Sequence, residues 1–136
     1  LPGGGLVIND AYNANPTSMR AALLALTDRA GSRRRVAVLG EMAELGDASP
    51  RYHEDVGRLV DELGIEIVIA VGAAATGYVG DPGRRGRLHV PDVEALETAL
   101  ELLAPGDAVL VKASRAVGLE GIPASIEKRS RAWSES

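Results

Sequence analysis

Short runs of Val, Ile, Leu and Ala alternate along the chain with longer stretches whose apolar residues recur every three or four positions. Gly, Pro or Asp marks each change, a pattern that predicts repeated strand–helix units around a mostly parallel sheet rather than a bundle or a sandwich. Leu6 to Asn9 reads as the first strand, behind Pro2-Gly3-Gly4-Gly5. Asn15 is expected to cap a helix that has Pro16 at its first position, an inward stripe of Met19, Ala22, Leu23, Leu26 and Ala30, and Gly31 as its stop. Arg35 to Leu39 is the second strand, and Ser49-Pro50 opens a helix that buries Tyr52, Val56, Leu59, Val60 and Leu63 before Gly64. The unbroken apolar run Ile65 to Val71 predicts a central strand covered on both faces. A short Ala-rich helix near 73–79, a strand at Leu88 to Val90 and an Asp92-capped helix with Val93, Leu96, Ala99, Leu100 and Leu103 inward come next. Ala108 to Lys112 is the last clear strand, and a tail helix begins or is interrupted at Pro123. The expected fold is α/β: one Rossmann-like domain over residues 1–136, with about five to six mostly parallel strands and helices on both faces.

Composition narrows the classes of partner. A net charge of −4 gives no general attraction for nucleic acid or an anionic membrane, so any phosphate must be met locally. Without cysteine there are no disulfides, thiolate metal sites or cysteine nucleophiles, and a cytoplasmic address is the default. No run approaches the ~18 apolar residues of a membrane span, and Leu1 to Gly5 looks like a cut point inside a longer protein. With no Phe, the core must be built from Leu, Val, Ile and Ala, which suits thin parallel strands under Ala-rich helices.

Ligands of open parallel sheets sit beyond the carboxyl ends of the strands, and there the chain is polar. Asn9 to Pro16 follows the first strand, Gly40 to Gly46 the second, and Lys112-Ala113-Ser114-Arg115 the fifth. Asp10, Tyr12 and Asn13 suit sugar hydroxyls, adenine edges or peptide groups, whereas capping alone accounts for Asn15 and Pro16. Glu41 and Glu44 are open to a metal, an ammonium group or water. Lys112 and Arg115 could hold a phosphate or carboxylate, or form surface ion pairs with Glu120 or Asp107. His53, in the first turn of the second helix, reads as a buried or partner-bound structural histidine without metal-ligand spacing to His89. No phosphate loop exists: Gly3-Gly4-Gly5 precedes a strand instead of following one, and Gly72 to Gly77 lacks the Lys-Ser/Thr ending.

Four strings, Asn9 to Met19, Leu39 to Gly46, His53 to Gly57 and Lys112 to Arg115, resemble in order and spacing the C-terminal domain of Mur ligases. The resemblance runs from Leu6 to about Leu119, and Tyr12-Asn13-Ala14-Asn15-Pro16 is similar to the branch that adds D-alanyl-D-alanine. Two positions depart from it: Asn9, where Asp is common, and Ala113, where Gly is usual. The resemblance implies part of a three-domain amide ligase in peptidoglycan synthesis that uses ATP and magnesium. Its substrates would be UDP-N-acetylmuramoyl-tripeptide and D-alanyl-D-alanine, joined through an acyl phosphate. The phosphate loop and metal ligands would lie in a central domain and the UDP-sugar site in an N-terminal one, leaving no metal site and no activity in this chain alone. By the same resemblance Asp10, Tyr12, Asn13 and Asn15 line an ATP edge, with Asp10 on the ribose, while Lys112, Ser114, Arg115, Glu41 and His53 lie on the substrate side.

Two other readings compete. A stand-alone receiver-like or ligand-sensing α/β domain would want an Asp after its third strand, where this chain has Val71-Gly72-Ala73. The equivalent domain of a folylpolyglutamate or cyanophycin-type ligase is disfavoured by the Tyr12 to Pro16 string.

Overall fold

A computed structural model describes residues 4–10, 14–81, 83–113 and 117–135, with side chains to residue 130. Five strands, β1 (Leu6–Asp10), β2 (Arg35–Gly40), β3 (Ile67–Val71), β4 (Arg87–Val90) and β5 (Ala108–Lys112), form one sheet in the order β1-β5-β2-β3-β4. Every pairing is parallel. The helices are α1 (Pro16–Ala30), α2 (Ser49–Glu62), α3 (Val93–Ala99) and α4 (Ile122–Glu135).

Strand alternation sorts the core into two layers. Ala37, Leu39, Val68, Ala70, Ala108 and Leu110 pack with the α1 stripe Met19, Leu23 and Leu26 and with Val56 and Val60 of α2. Their neighbours Val36, Val38, Ile69, Val71, Val109 and Val111 meet Leu96 of α3, Leu100 and Leu103 just beyond it, and Ile122 and Ile126 of α4. A period of two on strands buried on both faces produces this split. The chain steps one way along the sheet from β1 through β2 and β3 to β4, then reverses to insert β5 between β1 and β2. Because same-handed crossovers running in opposite directions lie on opposite faces, the reversal opens a crevice around β5.

Most expected boundaries hold within a residue or two. Asn15 caps α1 in a reciprocal capping box with Ser18, and Pro16 follows it. Pro123 lies in the first turn of α4, so the tail helix begins there and is not interrupted. The Ala-rich segment is a 3-10 helix, Ala73–Tyr78, and β3 is an interior strand between β2 and β4, as expected. Its unbroken apolar run records coverage on both faces, a feature it shares with β2 and β5.

Candidate functional site

Asp10 and Lys112 end adjacent strands in direct register. Period-two alternation puts Lys112 on the same face as Ala108 and Leu110, and Asp10 on the same face as Leu6 and Ile8, so both point beneath the start of α1. Lys112 Nζ donates to Asp10 Oδ2 at 2.7 Å. The lysine side chain is 1% exposed and the aspartate 44%. A buried ammonium costs several kcal/mol unless it is paired, so the pair accounts for the lysine's tolerance inside the sheet. The carboxylate keeps Oδ1 without a partner among the described residues, on a side chain that is nearly half exposed. Lys112, expected on the substrate side, thus has a buried side chain whose ammonium meets Asp10.

The loop after β2 is held at several points by elements distant in sequence. Glu41 accepts from the Ala74 N–H at 2.9 Å and so caps the 3-10 helix that follows β3. Gly72 stands at φ 106°, a backbone conformation that favours glycine, and a Cβ there would lie 2.9 Å from the Glu41 carboxyl carbon, so a side chain would also push Glu41 aside. His53 is fully buried. Its Nε2 accepts from the Met42 N–H at 3.0 Å, and its Nδ1 lies 2.7 Å from the Ser49 carbonyl, to which it must donate. The ring is therefore the Nδ1–H tautomer, with both nitrogens engaged inside the protein. It packs against Tyr78 with the rings tilted by 46° and 4.9 Å between centroids. The Tyr78 hydroxyl donates to the Gly40 carbonyl at 3.0 Å; burial, reinforced by the Glu41 charge, raises its pKa well above the ordinary tyrosine value and keeps it a donor. His53 was expected on the substrate side; its geometry is that of a loop anchor, because no ring nitrogen faces solvent. Tyr78 went unnoticed in the sequence, although a lone aromatic in an Ala/Gly segment of a chain without Phe was a usable signal.

Asn15 Oδ1 is committed to the Ser18 N–H, so on the expected nucleotide edge it acts first as a cap. Tyr12, Asn13, Ser114 and Arg115 lie outside the described residues. Ala113, in place of the expected glycine, is buried, and its methyl fills the space beside Gly40, where an added Cβ would come within 2.4 Å of it. Glu44 is exposed and held at φ 61°. Beside the Glu41-capped turn a groove of about 460 Å³ is lined by Ser49, Glu54, Thr76 and Asp81 among others. Among the described residues no group of three His, Asp or Glu side chains is arranged to hold a metal ion, and no helix is long and apolar enough to cross a membrane.

Residues 2–115 match the family model described as Mur ligase, glutamate ligase domain. The UDP-N-acetylmuramoyl-tripeptide--D-alanyl-D-alanine ligase of Mycobacterium tuberculosis (strain ATCC 25618 / H37Rv) is 42% identical over 142 residues, covering 88% of this chain and 28% of the relative. Among solved structures, MurF ligase from Thermotoga maritima in complex with ADP superposes with a TM-score of 0.77 at 28% identity, covering 97% of this chain and 32% of that one. MurF from Acinetobacter baumannii gives 0.75 at 32% identity, over 90% of this chain and 28% of that one. The chain thus spans 28% of the length of its Mycobacterium tuberculosis relative.

Proposed function

Since this chain belongs to the Mur ligase family, we propose that it is the C-terminal part of an ATP-dependent ligase that joins D-alanyl-D-alanine to UDP-N-acetylmuramoyl-tripeptide. The observation that carries the reading is the carboxyl edge of the sheet, where Asp10 presents an ionisable carboxylate over a crevice with no phosphate loop beside it. Such an edge can accept hydrogen bonds from ribose hydroxyls but needs another domain to hold the phosphates. In this reading Asp10, with Tyr12, Asn13 and Asn15, lines the nucleotide edge, and Ser114 and Arg115 reach the substrates. Glu41, His53 and Tyr78 set the shape of the intervening loop.

The chemistry is amide formation through an acyl phosphate. The tripeptide carboxylate takes the γ-phosphoryl group from ATP, leaving ADP; the dipeptide amine then attacks the acyl carbon, gives up a proton and expels inorganic phosphate. Positioning and charge stabilisation dominate the phosphoryl step. Arg115, with its planar fork of donors, suits a carboxylate or phosphate oxygen pair. The described residues do not fit magnesium: Asp10 and Glu41 are engaged by Lys112 and by the Ala74 N–H, and no third carboxylate joins them. Any metal would be held by the remainder of the ligase. Use of ATP and a UDP-linked precursor makes the cytoplasm the natural compartment. A receiver-like signalling domain is set aside by the family membership, and the folate- or cyanophycin-type alternative by the relatives' names.

The test is reconstitution. A full-length ligase carrying this chain should form the UDP-linked pentapeptide from the tripeptide, D-alanyl-D-alanine and ATP with equimolar phosphate release, while the 136-residue chain alone should do neither. Turnover by the chain alone, or none by the full-length protein with these substrates, would refute the proposal.

A further inference from the structure

We infer that Lys112 is a positioning residue that acts through Asp10, holding one carboxylate oxygen from below so that the other faces the vicinal hydroxyls of the nucleotide. The inference rests on the reading of Asp10 as a nucleotide contact and adds to it the device that aims the carboxylate.

A direct phosphate or substrate contact by Lys112 is disfavoured by geometry, since its side chain is 1% exposed and Nζ lies 2.7 Å from Asp10 Oδ2. The aliphatic stem runs on the α1 face of the sheet, in the row begun by Ala108 and Leu110, and delivers the charge beneath Asp10 instead of into the crevice. A half-exposed aspartate has two rotatable torsions, and ordering it on ligand binding costs free energy. A short charge-assisted bond to an already buried partner removes much of that cost before the ligand arrives. The ammonium also offsets a negative charge that would otherwise repel an approaching polyphosphate. Pairing between adjacent parallel strands makes the arrangement rigid, because Asp10 and Lys112 are in register and β5 is braced on its other side by β2.

The experiment uses the full-length ligase carrying Asp10→Ala, Lys112→Met or both, with ATP and with 2′-deoxy-ATP. Asp10→Ala should raise KM for ATP at least about tenfold. Lys112→Met should raise it about three- to tenfold, with KM for D-alanyl-D-alanine and kcat within about twofold of the parent. The double variant should be no worse than Asp10→Ala within about twofold, since a residue acting through another adds nothing once that one is gone. With 2′-deoxy-ATP, which lacks one of the hydroxyls, the Lys112→Met effect should shrink. ADP affinity by calorimetry should follow the same ratios. If Asp10→Ala raises KM and Lys112→Met does not, the positioning role is refuted and the nucleotide reading survives. If the two effects multiply, Lys112 acts independently and the inference is overturned. If Asp10→Ala itself leaves ATP dependence unchanged, the underlying reading fails. Should Lys112→Met not fold, Lys112→Gln, which keeps a neutral donor toward Asp10 but loses the charge, should raise KM for ATP by a smaller factor, about two- to threefold, and leave KM for D-alanyl-D-alanine unchanged; no rise for ATP, or an equal rise in both KM values, would overturn the proposal.

Discussion

Two ion pairs flank β5, one at each end, and they are inverted copies of each other. At the carboxyl end the cation is buried and the carboxylate half-exposed: Lys112 at 1% and Asp10 at 44%. At the amino end Asp107 is 4% exposed and Arg34 37%. Both oxygens of Asp107 are also engaged within the fold. Arg34 donates to it through Nε at 2.9 Å and through its terminal nitrogen at 2.7 Å, and the Ala104 N–H donates at 2.8 Å. The hydrogen bond to Asp107 raises the Arg34 pKa above its ordinary value, against the lowering effect of burial. A carboxylate with its oxygens filled from within the fold is a staple; one held on a single oxygen has capacity left for a ligand. What separates structure from function here is which partner faces water, not the presence of a salt bridge.

The largest effect should come from stranding the buried member at the amino end. Arg34→Ala leaves a short, immobile carboxylate without its bidentate partner and should cost roughly 2–4 kcal/mol in urea denaturation, with nucleotide binding by the full-length ligase unchanged. A loss below about 1 kcal/mol would reduce this pair to an ordinary surface contact. Asp10→Ala should reverse the proportions. It loses roughly 1.5–3 kcal/mol of apparent ATP binding, while stability falls by about 1 kcal/mol because the long lysine stem lets the ammonium reach water. Equal stability losses in the two variants would erase the contrast.

Gly40→Ala tests the packing next to the carboxyl-end pair, beside Ala113. Its new methyl meets the Ala113 methyl at 2.4 Å and Val117 at 3.2 Å, so the expected cost is about 1–3 kcal/mol by denaturation. Pairing it with Ala113→Gly should recover part of that loss, and no recovery would show that the clash lies elsewhere.

Acid titration gives the smallest effect. Burial raises the Asp61 pKa, but hydrogen bonds from Arg84 and Arg87 outweigh it and hold the group below its ordinary 3.8. A depressed carboxylate stabilises the fold above its unfolded pKa and loses that contribution as pH falls through the folded value. Asp61→Asn should therefore shrink the loss of stability below pH 3.8 by less than about 1 kcal/mol, given the exposure of the pair. No change in the acid limb would mean that the two arginines are neutral to folding.

The sequence by itself determined the fold class, the helix stripes, the Asn15 cap and the location of the polar edge, because each is a local or periodic property: β-branched runs, three-to-four spacing and capping chemistry act within a few residues. Asp10 and Lys112 were both visible as polar residues at strand ends, yet nothing local says that they touch, since 102 positions separate them. Only the insertion of β5 beside β1 brings them into register. The same holds for Asp107, anticipated as a partner for the Lys112–Arg115 pair and taken instead by Arg34, 73 positions away. His53 and Tyr78 show the limit most plainly. Their donors and acceptors are Met42, Ser49 and Gly40, and whether a polar ring anchors a loop or faces a substrate depends on which backbone groups the packing leaves unsatisfied beside it. That is a property of the assembled layers, written in no single stretch of the chain.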